Sequence, residues 1–133
     1  MQHIKTFDES RSDASRARVG AVKPGYCTRM GTAICHATLQ LADRPERKRL
    51  LMLLTDGKPN DLDVYEGRYG LENTRQAVRE AHAAGLIPFC VTIDEKAHDY
   101  LPMLFVQNGS AMVHKPQVLV RQLTQAWATL SRR

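Results

Sequence analysis

The sequence predicts an α/β fold in which a mainly parallel sheet carries helices on both faces. Two short apolar runs, Leu50-Leu51-Met52-Leu53-Leu54 and Leu86-Ile87-Pro88-Phe89-Cys90-Val91-Thr92-Ile93, are too short for helices and read as buried strands. Segments with apolar residues at helical spacing stand before, between and after them. Both runs lead into an acid, Asp56 through Thr55 and Asp94 directly. Parallel neighbours need crossover connections, usually helices, and such folds bind ligands beyond the carboxyl ends of their strands.

Taken in order, His3 to Phe7 is expected to form a short strand. Asp13 is placed to cap a helix that includes Val19 and Val22 and stops at Lys23-Pro24-Gly25. A loop through Tyr26-Cys27-Thr28-Arg29 leads to a helix with Met30, Ile34, Ala37 and Leu41 on one face, ending near Arg44-Pro45. Arg44, Arg47, Lys48 and Arg49 then form a solvated connection to the Leu50 strand, which is expected to be covered on both faces. A polar loop from Asp56 to Gly70 precedes a helix with Leu71, Thr74, Val78 and Ala81 on one side, closed by Gly85.

In the strand from Leu86 to Ile93, Pro88 is tolerable only near the start. Helical residues from Ala97 to Phe105 follow, and Asn108-Gly109-Ser110 turns the chain into a brief strand at Ala111-Met112-Val113. Pro116 opens the last helix, where Leu119, Leu123, Trp127 and Leu130 share a face and Trp127 is expected to anchor the core.

With 133 residues, 43% hydrophobic, the chain suffices for one domain with a real core. Its net charge of +5 is dispersed, and no helix-turn-helix, zinc-finger or aromatic RNA-reading pattern accompanies it, which argues against nucleic acid. Three cysteines without C-x-x-C spacing indicate neither a disulfide framework nor a zinc site, and fit reduced thiols in a cytoplasm. No apolar stretch approaches the roughly 18 residues a membrane helix needs, and no signal-peptide core is present. His36, His82, His98 and His114 lie on different elements without paired ligand spacing.

The loop Thr55-Asp56-Gly57-Lys58-Pro59-Asn60-Asp61 is longer than a tight turn and dense in hard oxygen donors, which suit magnesium. It is not an EF-hand, since Gly57 and Pro59 break that ligand alternation. Leu53-Leu54-Thr55-Asp56-Gly57 resembles the third metal-site segment of the von Willebrand factor type A domain, and Tyr26-Cys27-Thr28-Arg29-Met30-Gly31 resembles the second. More narrowly, the Asp56 loop, Tyr65-Glu66-Gly67-Arg68-Tyr69-Gly70 and Thr74-Arg75-Gln76-Ala77-Val78-Arg79-Glu80-Ala81 are similar to the NorD and CbbO family. These are bacterial accessory factors for nitric oxide reductase and Rubisco.

The resemblance implies a metal-ion-dependent adhesion site holding Mg2+, with Thr28 and Asp56 as ligands and a vacant position for a partner's carboxylate. Tyr26, Arg29, Lys58, Asn60 and Arg68 would surround the partner. It also implies a non-enzymatic, cytoplasmic interaction module beside a MoxR-type AAA+ ATPase and a target enzyme with an acidic contact residue. ATP hydrolysis would belong to that partner, because this chain has no G-x-x-x-x-G-K-[ST] loop.

The family's first metal segment, Asp-x-Ser-x-Ser, is matched in letters at Asp8-Glu9-Ser10-Arg11-Ser12. That match reads as a solvated loop and helix cap: Gln2 to Phe7 is too polar for a central strand, and too little chain separates Ser12 from Thr28. Residues 1–133 are therefore expected to form one partial domain that lacks the first strand, first helix and serine loop, with weakened magnesium affinity. An apolar strand ending in Asp-x-Ser-x-Ser is expected upstream of Met1. The sheet edge left open would offer a pairing surface to another copy.

Two enzyme readings compete. An aspartyl-phosphate phosphohydrolase would use Asp56 as nucleophile beside magnesium, but Lys58 stands where its second aspartate is needed. A phosphoreceiver domain lacks its lysine, Thr92 to Asp94 occupying that place.

Overall fold

The computed structural model describes residues 2–23, 29–57 and 68–132. Its elements are α1 (Asp13–Gly20), α2 (Met30–Ala42), β1 (Leu50–Thr55), α3 (Arg68–Ala83), β2 (Ile87–Thr92), α4 (Leu101–Leu104), β3 (Ser110–Met112) and α5 (Leu119–Ser131). The strands form one parallel sheet in the order β1-β2-β3, with Leu50 opposite Ile87 and Cys90 opposite Ser110. Alternation of side chains along the strands builds two cores. Leu51, Leu53 and Cys90 pack with α2, α3 and α4, whereas Leu50, Met52, Phe89 and Val91 pack with α5.

Two buried helical residues show how the first core closes. Ile34 of α2 and Val78 of α3 are each only 1% exposed. Thr74, also buried, satisfies its hydroxyl by donating to the Gly70 carbonyl one turn back at 2.8 Å, so it enters the core without an orphaned polar group. Pro88 sits in the central strand without breaking it. Even-numbered residues of β2 hydrogen-bond towards β3, as the Cys90 N–H does to the Gly109 carbonyl. Because β3 begins opposite Cys90, a missing N–H at Pro88 removes no ladder bond.

Arg49 ties the amino end of the sheet to the helices. Its guanidinium donates to the Leu41 and Ala42 carbonyls at the end of α2, at 3.3 and 2.7 Å, and to the Ala84 carbonyl just past α3 at 3.1 Å. These are carbonyls that a helix cannot satisfy internally, and a cation also suits the negative end of each helix dipole. Gly85 adopts φ +80, and a Cβ there would lie 3.0 Å from the same guanidinium. Gly109 is equally constrained, since a Cβ would stand 2.8 Å from the Val106 carbonyl oxygen.

Several expectations require correction. His3 to Phe7 forms no strand; the segment runs past α2, with the His3 ring 6.0 Å from that of His36 and the Arg44 guanidinium 4.9 Å above Phe7. The first helix ends at Gly20, before Val22, and its N-cap is Ser12 rather than Asp13. The Ser12 hydroxyl accepts from the Ser15 N–H at 3.2 Å, while the Ser15 hydroxyl accepts from the Ser12 N–H at 3.0 Å, a reciprocal capping box. The basic connection is only partly solvated: Arg49 is engaged as above, and Lys48 bonds the Ser131 carbonyl at the end of α5.

β1 is covered on both faces only as far as Leu53. No described strand pairs with its outer edge, and Leu54 is 60% exposed. Ile87 and Ile93 donate to the carbonyls of Arg49 and Thr55, so odd-numbered residues of β1 face β2 and Leu50, Met52 and Leu54 present their backbone groups to the open edge. Trp127 is 52% exposed and does not anchor the core; Leu130 takes that place on α5. The Ala97–Phe105 segment divides into a 3-10 turn at Ala97–Asp99 and the single turn of α4.

Replacing Arg49 by Met should lower stability in urea by about 2–3 kcal/mol, since its bonds to three carbonyls, at roughly 1.5–3 kcal/mol each, are offset in part by the several kcal/mol that burying the cation costs. Gly85→Ala should cost about 1–2 kcal/mol through its left-handed backbone and the contact with Arg49. An unchanged Arg49→Met midpoint would remove the guanidinium from this structural role.

Candidate functional site

The tie at Arg49 sets the direction of both helices. Because α2 and α3 end beside the start of β1, they run antiparallel to the strands and their amino ends lie towards the carboxyl edge of the sheet. Arg29 and Thr55 accordingly line one apolar groove of about 750 Å³, together with Met30, Ala33, Leu51 and Leu53. Asp56 follows β1 at this edge, exposed. The Thr55 hydroxyl folds the turn beneath it, lying 2.8 Å from the Gly57 carbonyl and 3.3 Å from the Gly57 N–H.

Asp94, at the end of β2, is fixed on every side. One carboxylate oxygen accepts the Tyr100 hydroxyl at 2.8 Å and the other the Lys96 N–H at 3.0 Å, while its own N–H donates to the buried Thr92 hydroxyl at 3.0 Å. Burial first, and then the Asp94 carboxylate beside it, push the Tyr100 phenol well above its ordinary range. An acid with both oxygens engaged by its own loop is a turn-former. Nothing in the sequence marked Tyr100 as its partner, since a tyrosine six residues on has no characteristic spacing.

Of the residues proposed for the site, Asp56, Arg29 and Arg68 are described, and all three are exposed. Arg68 opens α3. Thr28, Tyr26, Lys58 and Asn60 lie outside the described residues, as does Cys27. The serine pair of the Asp8–Ser12 match is elsewhere. Asp8 lies 3.7 Å from Arg44, just beyond the carboxyl end of α2, and Ser12 caps α1. The 13 residues of α2 separate its two ends by about 18 Å at roughly 1.5 Å per residue, so Asp8 belongs to the opposite end of the sheet from Asp56.

Among the described residues, no group of three or more His, Cys, Asp or Glu is arranged to hold a metal. His36 and His98 are exposed and engage Gln40 and Asp99, each at 3.2 Å. Burial pushes the Cys90 thiol up to about 12, and burial with the neighbouring Glu80 carboxylate also raises Cys35, so neither is a nucleophile at neutral pH. No helix among the described residues is long and apolar enough to cross a membrane.

The sequence profile of the von Willebrand factor type A domain matches residues 3–118. The chain belongs to the von Willebrand factor type A domain family. It is 56% identical over 117 residues to Protein NorD of Stutzerimonas stutzeri, covering 88% of this chain and 19% of that protein. An uncharacterized protein of Pseudomonas aeruginosa is 54% identical over 131 residues, 98% of this chain and 21% of its own length. Protein NorD of Brucella abortus is 52% identical over 113 residues, 85% of this chain and 18% of that protein. The chain thus spans about one fifth of the length of these relatives. No solved structure matches it.

Membership in this family agrees with the α/β reading, and the parallel three-stranded sheet between helical layers is its local expression.

The clamp on Asp94 has a pH signature. A phenol raised in the folded state contributes stability that is complete below its unfolded value of 10.0 and is lost as pH rises from there towards the folded value. Stability measured from pH 8 to 11.5 should therefore fall above about pH 10, and Tyr100→Phe should flatten that fall while costing about 1 kcal/mol at neutral pH. A profile identical in the two proteins would show that Tyr100 is not held in this way. Cys90 should resist alkylation until the chain unfolds.

Proposed function

We propose that this chain is a metal-dependent protein-interaction module of an accessory factor that works with a MoxR-type AAA+ ATPase on nitric oxide reductase or Rubisco. The observation that carries the reading is the placement of Asp56: an exposed carboxylate at the carboxyl edge of β1, in a chain more than half identical to NorD proteins. A carboxylate on a strand end, together with the Thr28 hydroxyl, would supply the hard oxygens that magnesium prefers. Thr28 and Asp56 would hold the ion, which would offer a coordination position to an acidic side chain of the target. Arg29 and Arg68 stand at the amino ends of helices directed to the same edge, where their charge and the helix dipoles favour an anionic partner.

The module itself catalyses nothing in this reading. An exposed aspartate with Lys58 two residues on lacks the second carboxylate that a phosphohydrolase would use as acid and base. The cytoplasm is the expected compartment, on the strength of unpaired thiols at Cys35 and Cys90.

Asp56→Ala, introduced into the longer protein that carries this domain, should abolish activation of the target enzyme while changing folding stability by less than about 0.5 kcal/mol, as expected of an exposed position. Full activation by that variant would overturn the reading. Calorimetric titration of the chain with magnesium should show weak, Asp56-dependent binding. Tight binding that vanishes in Ser10→Ala and Ser12→Ala would instead place the serine loop at Asp8–Ser12. Turnover of p-nitrophenyl phosphate that is lost in Asp56→Asn would favour the phosphohydrolase.

A further inference from the structure

We draw no further inference here: the strongest candidate, the apolar groove between α2 and the open edge of β1, carries nothing because nothing among the described residues shows what covers it.

Discussion

Arg49 brings three chain segments to one point. Its guanidinium reaches carbonyls at the ends of α2 and α3 while its own backbone carbonyl accepts the first bond of the β1–β2 ladder, from the Ile87 N–H at 2.9 Å. A helix leaves its last carbonyls unsatisfied, and two such ends meeting beside a strand would accumulate negative partial charge in a half-buried place. One planar cation with several fixed donors answers both problems, which a lysine could not do with the same geometry. Gly85 is part of the arrangement, since any side chain there would press on the guanidinium.

Fixing the helix ends at the amino edge of the sheet determines what lies at the other. With the amino ends of α2 and α3 lying towards the carboxyl edge, their positive poles face the place where β1 delivers Asp56 and β2 delivers Asp94. The two acids then have different fates. Asp94 is absorbed by its own turn through Tyr100 and Lys96. Asp56 follows a short Thr55 turn and stands in solvent. Adjacent strands thus present one structural carboxylate and one exposed carboxylate, and their neighbours, not their positions, separate the roles.

Much of this was legible in residue pattern. The run from Leu50 and the run from Leu86 were readable as strands because both are apolar, short and bounded by polar residues, and the spacing of Leu71, Thr74, Val78 and Ala81 marked the buried face of α3. What a run of leucines does not disclose is how many neighbours the strand has. β1 has the composition of a central strand, yet no described strand pairs with its outer edge, and Leu54 near its carboxyl end is exposed where full burial was expected. Trp127 lies within the helical period of Leu123 and Leu130, but those two leucines and not Trp127 meet the described core beneath α5. His3 to Phe7 has strand-forming residues and no described strand beside it, and extended propensity without a partner does not make a sheet.

The Asp8–Ser12 segment shows why a motif must be read with its place in the fold. Its letters satisfy the family's first metal segment, yet its acid pairs with Arg44 beyond the carboxyl end of α2 and its second serine is consumed in capping α1. Reaching Asp56 would require breaking the capping box and carrying Asp8 along the length of α2, about 18 Å at roughly 1.5 Å per residue. Loss of an N-cap alone costs about 1 kcal/mol, and a hydrated cation held by few protein ligands returns little to offset it. Arg29, which precedes α2, is placed differently, because it lines the same groove as Thr55. Asp56 therefore shares its edge of the sheet with the amino end of α2 and not with Asp8 or the serines.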